Sequence, residues 1–195
     1  MPEQTAYDHL SNETALILFC DLQTEIVKHS GTATPKGIAS SVGALFQLAQ
    51  MFSIPAIISV VPEGHNPPKL ISELNEMDGY APQMLRTTAS LFQDEATAQA
   101  IEQSGRRVLV VAGFMMEAVV LATVLDARTR GLEVLIAIDA CGSSSQRTEH
   151  AAVLHMESAG VVLTSVVSIG IRLSPDFSTQ AGQRMFAIVQ GIKPS

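Results

Sequence analysis

The chain has 195 residues, of which 47% are hydrophobic and 16% are charged, and its formal net charge is −7. Nucleic acids and anionic membrane surfaces are polyanions that bind clustered Lys and Arg, and the sequence contains no basic run of that kind. No apolar run approaches the ~20 residues of a membrane span, and the N-terminus lacks the positive start and apolar stretch of a signal peptide. We therefore expect neither a nucleic acid nor a membrane as partner.

The two cysteines, Cys20 and Cys141, lie inside apolar runs that have the character of strands. This placement favours buried thiols in a reducing compartment over a disulfide framework. We therefore expect a cytoplasmic protein.

Short apolar runs alternate with longer segments of helical period, and this alternation is typical of a parallel sheet flanked by helices. The predicted elements are, in chain order, strand 15–20, helix 35–52, strand 55–61, an exposed proline-rich loop 62–68, strand 84–88, helix 94–103, strand 107–112, helix 116–130, strand 132–138, helix 146–158, strand 161–164 and helix 178–189. We predict an α/β fold with a six-stranded, mostly parallel, doubly wound sheet in a single domain over residues 1–195.

In sheets of this class, ligands bind in the crevice at the carboxyl ends of the strands. Asp21 follows six apolar strand residues directly, and Arg86 belongs to the end of another predicted strand, so the two side chains could form a pair at this edge. The alternatives are that Asp21 caps a loop or helix and that Arg86 is an ordinary surface cation.

Other chemistry has little support in the sequence. The segment 113–117 joins strand to helix without the three glycines of a dinucleotide fingerprint, and no phosphate-binding loop is present. The histidines are scattered, so no set has the spacing of metal ligands. Cys141 could be a reactive thiol near the sheet edge, but no neighbouring base activates it in the sequence. We predict no metal and no cofactor.

Several ordered motifs resemble those of the isochorismatase-like, or cysteine hydrolase, superfamily, which includes nicotinamidases and N-carbamoylsarcosine amidases. They are Leu18-Phe19-Cys20-Asp21-Leu22-Gln23, the segment 86–92, Val110-Val111-Ala112-Gly113, Leu121-Ala122-Thr123, Asp126-Ala127-Arg128, Gly131 and Asp139-Ala140-Cys141. The resemblance covers about residues 14–168 and leaves 169–195 as a helical tail. It implies a three-layer αβα fold and a homo-oligomer.

Active members of this family use an aspartate after the first strand, a lysine before a Ser-x-Phe segment, and a cysteine in Gly-x-x-Thr-x-x-Cys. Asp21 matches the aspartate, but Arg86 stands at the lysine position and Val119 at the cysteine position. Valine can form no thioester, and losing the nucleophile of a catalytic unit typically costs about a factor of 10⁶. Guanidinium also stays protonated where a buried lysine can titrate.

The resemblance also implies a site around Asp21 and Arg86. It places a cis peptide bond between Phe114 and Met115, and we predict that the substrate contacts Phe114, Met115, Met116, Val119 and Gln23. Arg86 should lower the pKa of Asp21, whereas burial beneath the apolar side chains should raise it.

Two functions remain open at this stage. Isochorismatases hydrolyse a vinyl ether by acid catalysis from the aspartate and need no cysteine, so a weak or non-cysteine hydrolase of a small molecule using Asp21 is the leading hypothesis. The alternative is an inactive small-molecule-binding or oligomeric scaffold protein. A third hypothesis makes Cys141 a displaced nucleophile.

The apolar excess is aliphatic, since only 5% of residues are aromatic and none is Trp. Much of it lies in the predicted helix 116–130, which is apolar nearly all round and should therefore be covered on both faces. We predict that one face packs on the sheet and that the other forms a subunit interface.

Overall fold

The sheet of the protein, seen in a computed structural model that describes residues 5–75 and 79–193, has six parallel strands. They are β1 Ala15–Cys20, β2 Ala56–Val60, β3 Gln83–Leu85, β4 Val108–Phe114, β5 Glu133–Gly142 and β6 Val162–Thr164. Their spatial order is β3-β2-β1-β4-β5-β6, so the direction of winding reverses between β1 and β4. This reversal is the topological switch point of a doubly wound sheet, where the carboxyl ends of β1 and β4 open a crevice.

The helices are α1 Thr24–Val27, α2 Pro35–Phe52, α3 Ser72–Asn75, α4 Glu95–Gln103, α5 Leu121–Thr129, α6 Gln146–Ser158, α7 Val166–Leu173 and α8 Gln180–Gln190. A 3₁₀ turn, Leu91–Gln93, precedes α4, and a π-helical turn, Met116–Val120, leads into α5. Side-chain oxygens of Thr34, Asp94 and Ser145 cap the helices that follow them, which satisfies amide groups that helix starts leave unpaired. None of the helices in the described ranges is long and apolar enough to cross a bilayer.

Two apolar layers enclose the sheet. Alternate residues of β1 face opposite sides, so that Ile17 and Phe19 pack in one core cluster with α2, α7 and α8, whereas Leu16 and Leu18 pack in the other with α4, α5 and α6. The result is the predicted three-layer αβα fold with a doubly wound sheet.

Every predicted strand and helix is present; the bounds 15–20, 35–52 and 146–158 are as predicted, and the ends of the other elements are shifted. β5 continues to Gly142 because a bulge between Val111 and Gly113 lets pairing with β4 resume at Cys141. Helix α7 was not predicted, since its apolar, β-branched sequence resembles a strand. It packs on α8 at Gly170, where a Cβ would come within 2.9 Å of the sulfur of Met185.

The apolar helix predicted over 116–130 is covered within the chain on one face, whereas Ala118 is exposed and Leu121, Ala122 and Leu125 are half-buried. Val124 and Ala127 are fully buried, and the buried Thr123 accepts a hydrogen bond from the amide of Leu91 on the side of the 3₁₀ turn. Helix α6 also packs on α5. The large hydrophobic side chains with the greatest exposure lie elsewhere, on Leu85, Leu154, Phe177 and Phe186. The apolar side chains that stay partly exposed on the segment are compatible with an interface, and the interface through 116–130 stays a prediction.

Candidate functional site

Asp21 directly follows β1 at the switch point and has an unusual backbone conformation. Its φ is 53°, in the left-handed region that few residues other than glycine adopt, although Asp tolerates it better than most. Its amide donates to the carbonyl of Ser59 on β2 at 3.0 Å, which holds the turn against the neighbouring strand. Non-glycine residues in such conformations cluster at functional sites, so the backbone as well as the sequence marks Asp21.

The predicted pair of Asp21 and Arg86 is present. Arg86 Nη2 donates to Asp21 Oδ2 at 2.5 Å, and Ser59 Oγ donates to Asp21 Oδ1 at 3.1 Å. Asp21 is 6% exposed and Arg86 2%, so this ion pair is shielded from water. The alternatives that Asp21 caps a loop or helix and that Arg86 is an ordinary surface cation are therefore not what the structure shows.

Arg86 is fixed at both ends. Its amide donates to the carbonyl of Val60 at 3.0 Å, and its Nη1 donates to the carbonyl of Thr88. The Nε atom is buried and has no hydrogen-bond partner. Arg86 therefore presents its guanidinium to Asp21 in one orientation, as a fixed charge rather than a proton carrier.

Two opposing influences act on the acidity of Asp21. Burial is the larger one and raises the pKa, whereas the charge and hydrogen bond of Arg86 and the hydroxyl of Ser59 lower it. Burial prevails, and the pKa of Asp21 lies above the ordinary value for an aspartate. This resolves the competition that the sequence left open.

A pocket of about 410 Å³ opens beside this pair. Asp21 and Arg86 are the two charged residues among its described lining, and much of the remaining wall is apolar, formed by Ile26, Val61, Phe114, Met115 and Val119. A larger cavity of about 660 Å³ lies near β3 and has no carboxylate or cationic side chain in its described lining. We therefore place the candidate site at the smaller pocket.

The turn from β4 into α5 forms one wall of the pocket. The peptide bond between Phe114 and Met115 is cis, as the resemblance implied. Val119 lies in the π-helical turn, is 4% exposed and lines the pocket. Met116, however, is fully buried in the core and does not line the pocket. This position does not support the predicted contact between Met116 and a substrate.

Gln23 is also not among the residues that line the pocket. Its amide nitrogen donates to the carbonyl of Val61 at 3.0 Å and to Glu63 Oε1 at 2.6 Å, while its oxygen accepts from the Val61 amide at 2.8 Å. The side chain is fully buried. Gln23 thus links the end of β1 to the loop after β2, and its predicted contact with substrate stays a prediction that this position outside the pocket lining does not support.

Cys141 lacks the properties of a nucleophile. It is 2% exposed, is absent from the pocket lining, and burial raises its pKa to about 12, so the thiol stays protonated at neutral pH. Burial likewise raises the pKa of the Cys20 thiol. Among residues 5–75 and 79–193, no three His, Cys, Asp or Glu side chains form a group that could hold a metal ion.

Ser59 is the residue of this site that sequence reasoning missed. The available signal was a single hydroxyl within the otherwise apolar strand β2, next to the strand that ends at Asp21.

Comparison with known proteins identifies the family of the chain. Residues 14–167 match the isochorismatase domain. The probable hydrolase YcaC of Escherichia coli K12 is 27% identical over 173 residues, which cover 88% of this chain and 83% of that protein. The structure of YcaC from Pseudomonas aeruginosa, determined with hexane-2,5-diol and covalent acrylamide, superposes with a TM-score of 0.87 at 28% identity and covers 94% of this chain and 91% of that one.

The crystal structure of the E. coli YcaC gene product, described as an octameric hydrolase of unknown specificity, has a TM-score of 0.85 at 28% identity, with 92% of this chain and 89% of that one covered. Since the matched domain accounts for most of the sequence, the chain belongs to the isochorismatase-like family of hydrolases.

Proposed function

We propose that the protein is a hydrolase of a small molecule that works without a cysteine nucleophile and uses Asp21 as its acid–base group. The observation that carries this proposal is the buried carboxyl of Asp21, whose pKa is raised and which lines a pocket of about 410 Å³ beside Arg86. A carboxyl with a raised pKa is suited to donate a proton closer to neutral pH than an exposed aspartate can.

Val119 determines which chemistry is available at the pocket. Its side chain has neither a lone pair nor a proton, so no covalent intermediate can form there, and neither buried cysteine replaces it. The charged groups of the lining that can act on a bound molecule are Asp21 and Arg86, and water is the nucleophile. This set supports acid-catalysed addition of water better than it supports acyl transfer.

Hydrolysis of a vinyl ether needs no more than these groups. Protonated Asp21 donates its proton to the terminal vinyl carbon, and the C=C bond becomes an oxocarbenium ion. Water adds to the cationic carbon and returns a proton to Asp21. The hemiketal then breaks its C–O bond, its hydroxyl proton passes to the leaving oxygen, and an alcohol and a ketone are released. Arg86 and Ser59 stabilise the carboxylate of Asp21 while the proton is on the substrate.

The direct test is hydrolysis of isochorismate and of a panel of small amides by the wild type and by Asp21→Asn. We expect the variant to lose about 10²–10⁴-fold in rate, the usual contribution of a general acid. Asp139→Asn is the matched control, because Asp139 also has a raised pKa from burial but accepts from the amide of Val166 and does not line the pocket. Equal rates in wild type and Asp21→Asn would contradict the proposal.

We further propose that the protein is a cytoplasmic homo-oligomer that associates through residues 116–130. The octameric state stated for E. coli YcaC supports association, and the free, buried cysteines Cys20 and Cys141 support a reducing compartment. Light scattering of the purified protein tests the assembly, and a monomer at micromolar concentration would contradict it.

A further inference from the structure

Ser59 is a buried hydroxyl in a strand that is otherwise apolar. It has no exposed surface, and its neighbours Ile58 and Val60 are also buried. Burying a hydroxyl without a hydrogen bond costs free energy, so a partner stabilises a serine in this position. The partner here is Asp21.

The contact between the two residues has two parts. The carbonyl of Ser59 accepts from the amide of Asp21 at 3.0 Å, and its Oγ donates to Asp21 Oδ1 at 3.1 Å. The register of the sheet, which pairs Ser59 with Cys20, places Ser59 beside the last residue of β1. One residue of β2 therefore holds both the backbone and the carboxyl of Asp21.

The two side-chain donors act on different oxygens. Ser59 binds Oδ1 and Arg86 binds Oδ2, so together they fix the plane of the carboxyl group. Asp21 and Arg86 line the pocket, whereas Ser59 does not. Ser59 is therefore placed to orient the reacting group without touching a bound molecule.

We propose that Ser59 is a positioning residue that fixes the carboxyl plane of Asp21 toward the pocket and restrains the proton affinity of that carboxyl. The proposal rests on the proposed function of Asp21. The charged and titratable side chains that act on Asp21 are Arg86 from the end of β3 and Cys20 on its own strand, and Cys20 stays a neutral thiol. Ser59 supplies the uncharged donor of the site.

The test measures the pKa of the Asp21 carboxyl by carbon-13 NMR titration of the folded protein, and this readout does not depend on hydrolysis. Ser59→Ala and Ser59→Cys remove the strong donor, and Ser59→Cys keeps nearly the same shape in case the smaller alanine disturbs the fold. Because the donor stabilises the ionised carboxylate, we expect both variants to raise the pKa of Asp21, and Ser59→Thr to restore it.

The matched control is Ser143→Ala, because Ser143 is also fully buried but its hydroxyl has no hydrogen-bond partner. This control should leave the pKa of Asp21 unchanged. A pKa of Asp21 that stays at the wild-type value in Ser59→Ala and Ser59→Cys would overturn the proposal.

Kinetics give the second readout. We expect Ser59→Ala to shift the pH-dependent limb of the hydrolysis rate to higher pH, to lower the acidic plateau of kcat about tenfold through misorientation, and to leave KM unchanged. A raised KM with an unshifted limb would contradict the positioning role. If the wild type hydrolyses none of the tested substrates, the proposed function fails, and the NMR titration still decides the role of Ser59.

Discussion

The two walls of the pocket differ in what they preserve from the family pattern. The first wall lies at the end of β1, where Asp21 and Arg86 form a buried ion pair. At the turn after β4, which forms the second wall, the cis peptide bond after Phe114 is present. The sequence resemblance sets Met116 and Val119 of this turn against the threonine and the cysteine of active members. The first wall therefore has a charged pair as the resemblance implies, whereas the second wall has the implied cis peptide bond without the implied cysteine.

Packing explains why the backbone of the second wall does not depend on its side chains. Gly113, in β4 just before the turn, lies so close to β1 that a Cβ would come within 2.5 Å of the carbonyl oxygen of Cys20. This approach depends on glycine and on the sheet, and it involves no atom of Val119, which follows six residues later. Reactivity, by contrast, depends on single side-chain atoms. The comparison shows that fold and turn geometry alone do not identify the reaction.

The largest expected effect comes from introducing the family side chains in both walls. In Val119→Cys combined with Arg86→Lys, a thiol faces the pocket beside a titratable amine and Asp21. We expect one equivalent of acrylamide to attach at residue 119, because this thiol is accessible and its pKa can be lowered by the neighbouring cation.

The wild type is the control for that labelling, since Cys20 and Cys141 are buried thiols with raised pKa values and should stay unmodified. Intact-mass spectrometry over a time course measures both proteins. Equal labelling of wild type and variant would show that Val119 does not line an accessible pocket.

A smaller effect is expected from breaking the first wall. Arg86→Met leaves the carboxyl of Asp21 buried beside Ser59 alone, and removing one partner of a buried ion pair typically destabilises a protein by about 3–5 kcal/mol. Urea denaturation at pH 7 measures the free energy of unfolding. The double variant Asp21→Asn and Arg86→Met removes both charges and should recover much of the loss, whereas additive losses would contradict the coupling.

The smallest expected effect concerns Glu117, in the turn of the second wall. Partial burial raises its pKa, but hydrogen bonds from Ser144 and Thr148 outweigh that influence and lower the pKa to about 2. A carboxyl whose pKa is lower in the folded than in the unfolded state stabilises the fold at pH values above its unfolded-state pKa. This contribution disappears as the pH falls from 4.5 toward about 2.

We expect Glu117→Gln to lose no more than about 1 kcal/mol at pH 7, because the side chain is partly exposed and solvent screens the interaction. The difference from wild type should vanish near pH 2. Denaturant unfolding at both pH values measures it, and a difference that persists at low pH would assign the effect to packing instead of charge.

The sequence predicted the fold and the first wall well, for a physical reason. Parallel strands end at a common edge, so the side chains that follow them meet there, and this placed Asp21 beside Arg86. The apolar run of β1 similarly predicted that Cys20 is a buried thiol, and Cys20 lies in one of the two core clusters.

Side-chain directions beyond the strand ends could not be predicted in the same way. Gln23 follows Asp21 by two residues, and in a continued strand the two would share a face, but the left-handed turn at Asp21 redirects the chain. Met116 begins a π-helical turn, whose phase differs from that of the α-helix assumed for 116–130. Ser59 was missed because the alternation of β2 gives its face but not its partner.

The most direct measurement of the central claim is the pH dependence of isochorismate and vinyl ether hydrolysis by the wild type and Asp21→Asn. If Asp21 is the acid, the wild-type rate is high below its raised pKa and falls as pH rises through it, because the protonated carboxyl is lost. The rate of Asp21→Asn should be about 10²–10⁴-fold lower and should lack that limb. A variant that keeps both the wild-type rate and its pH limb would contradict catalysis by Asp21.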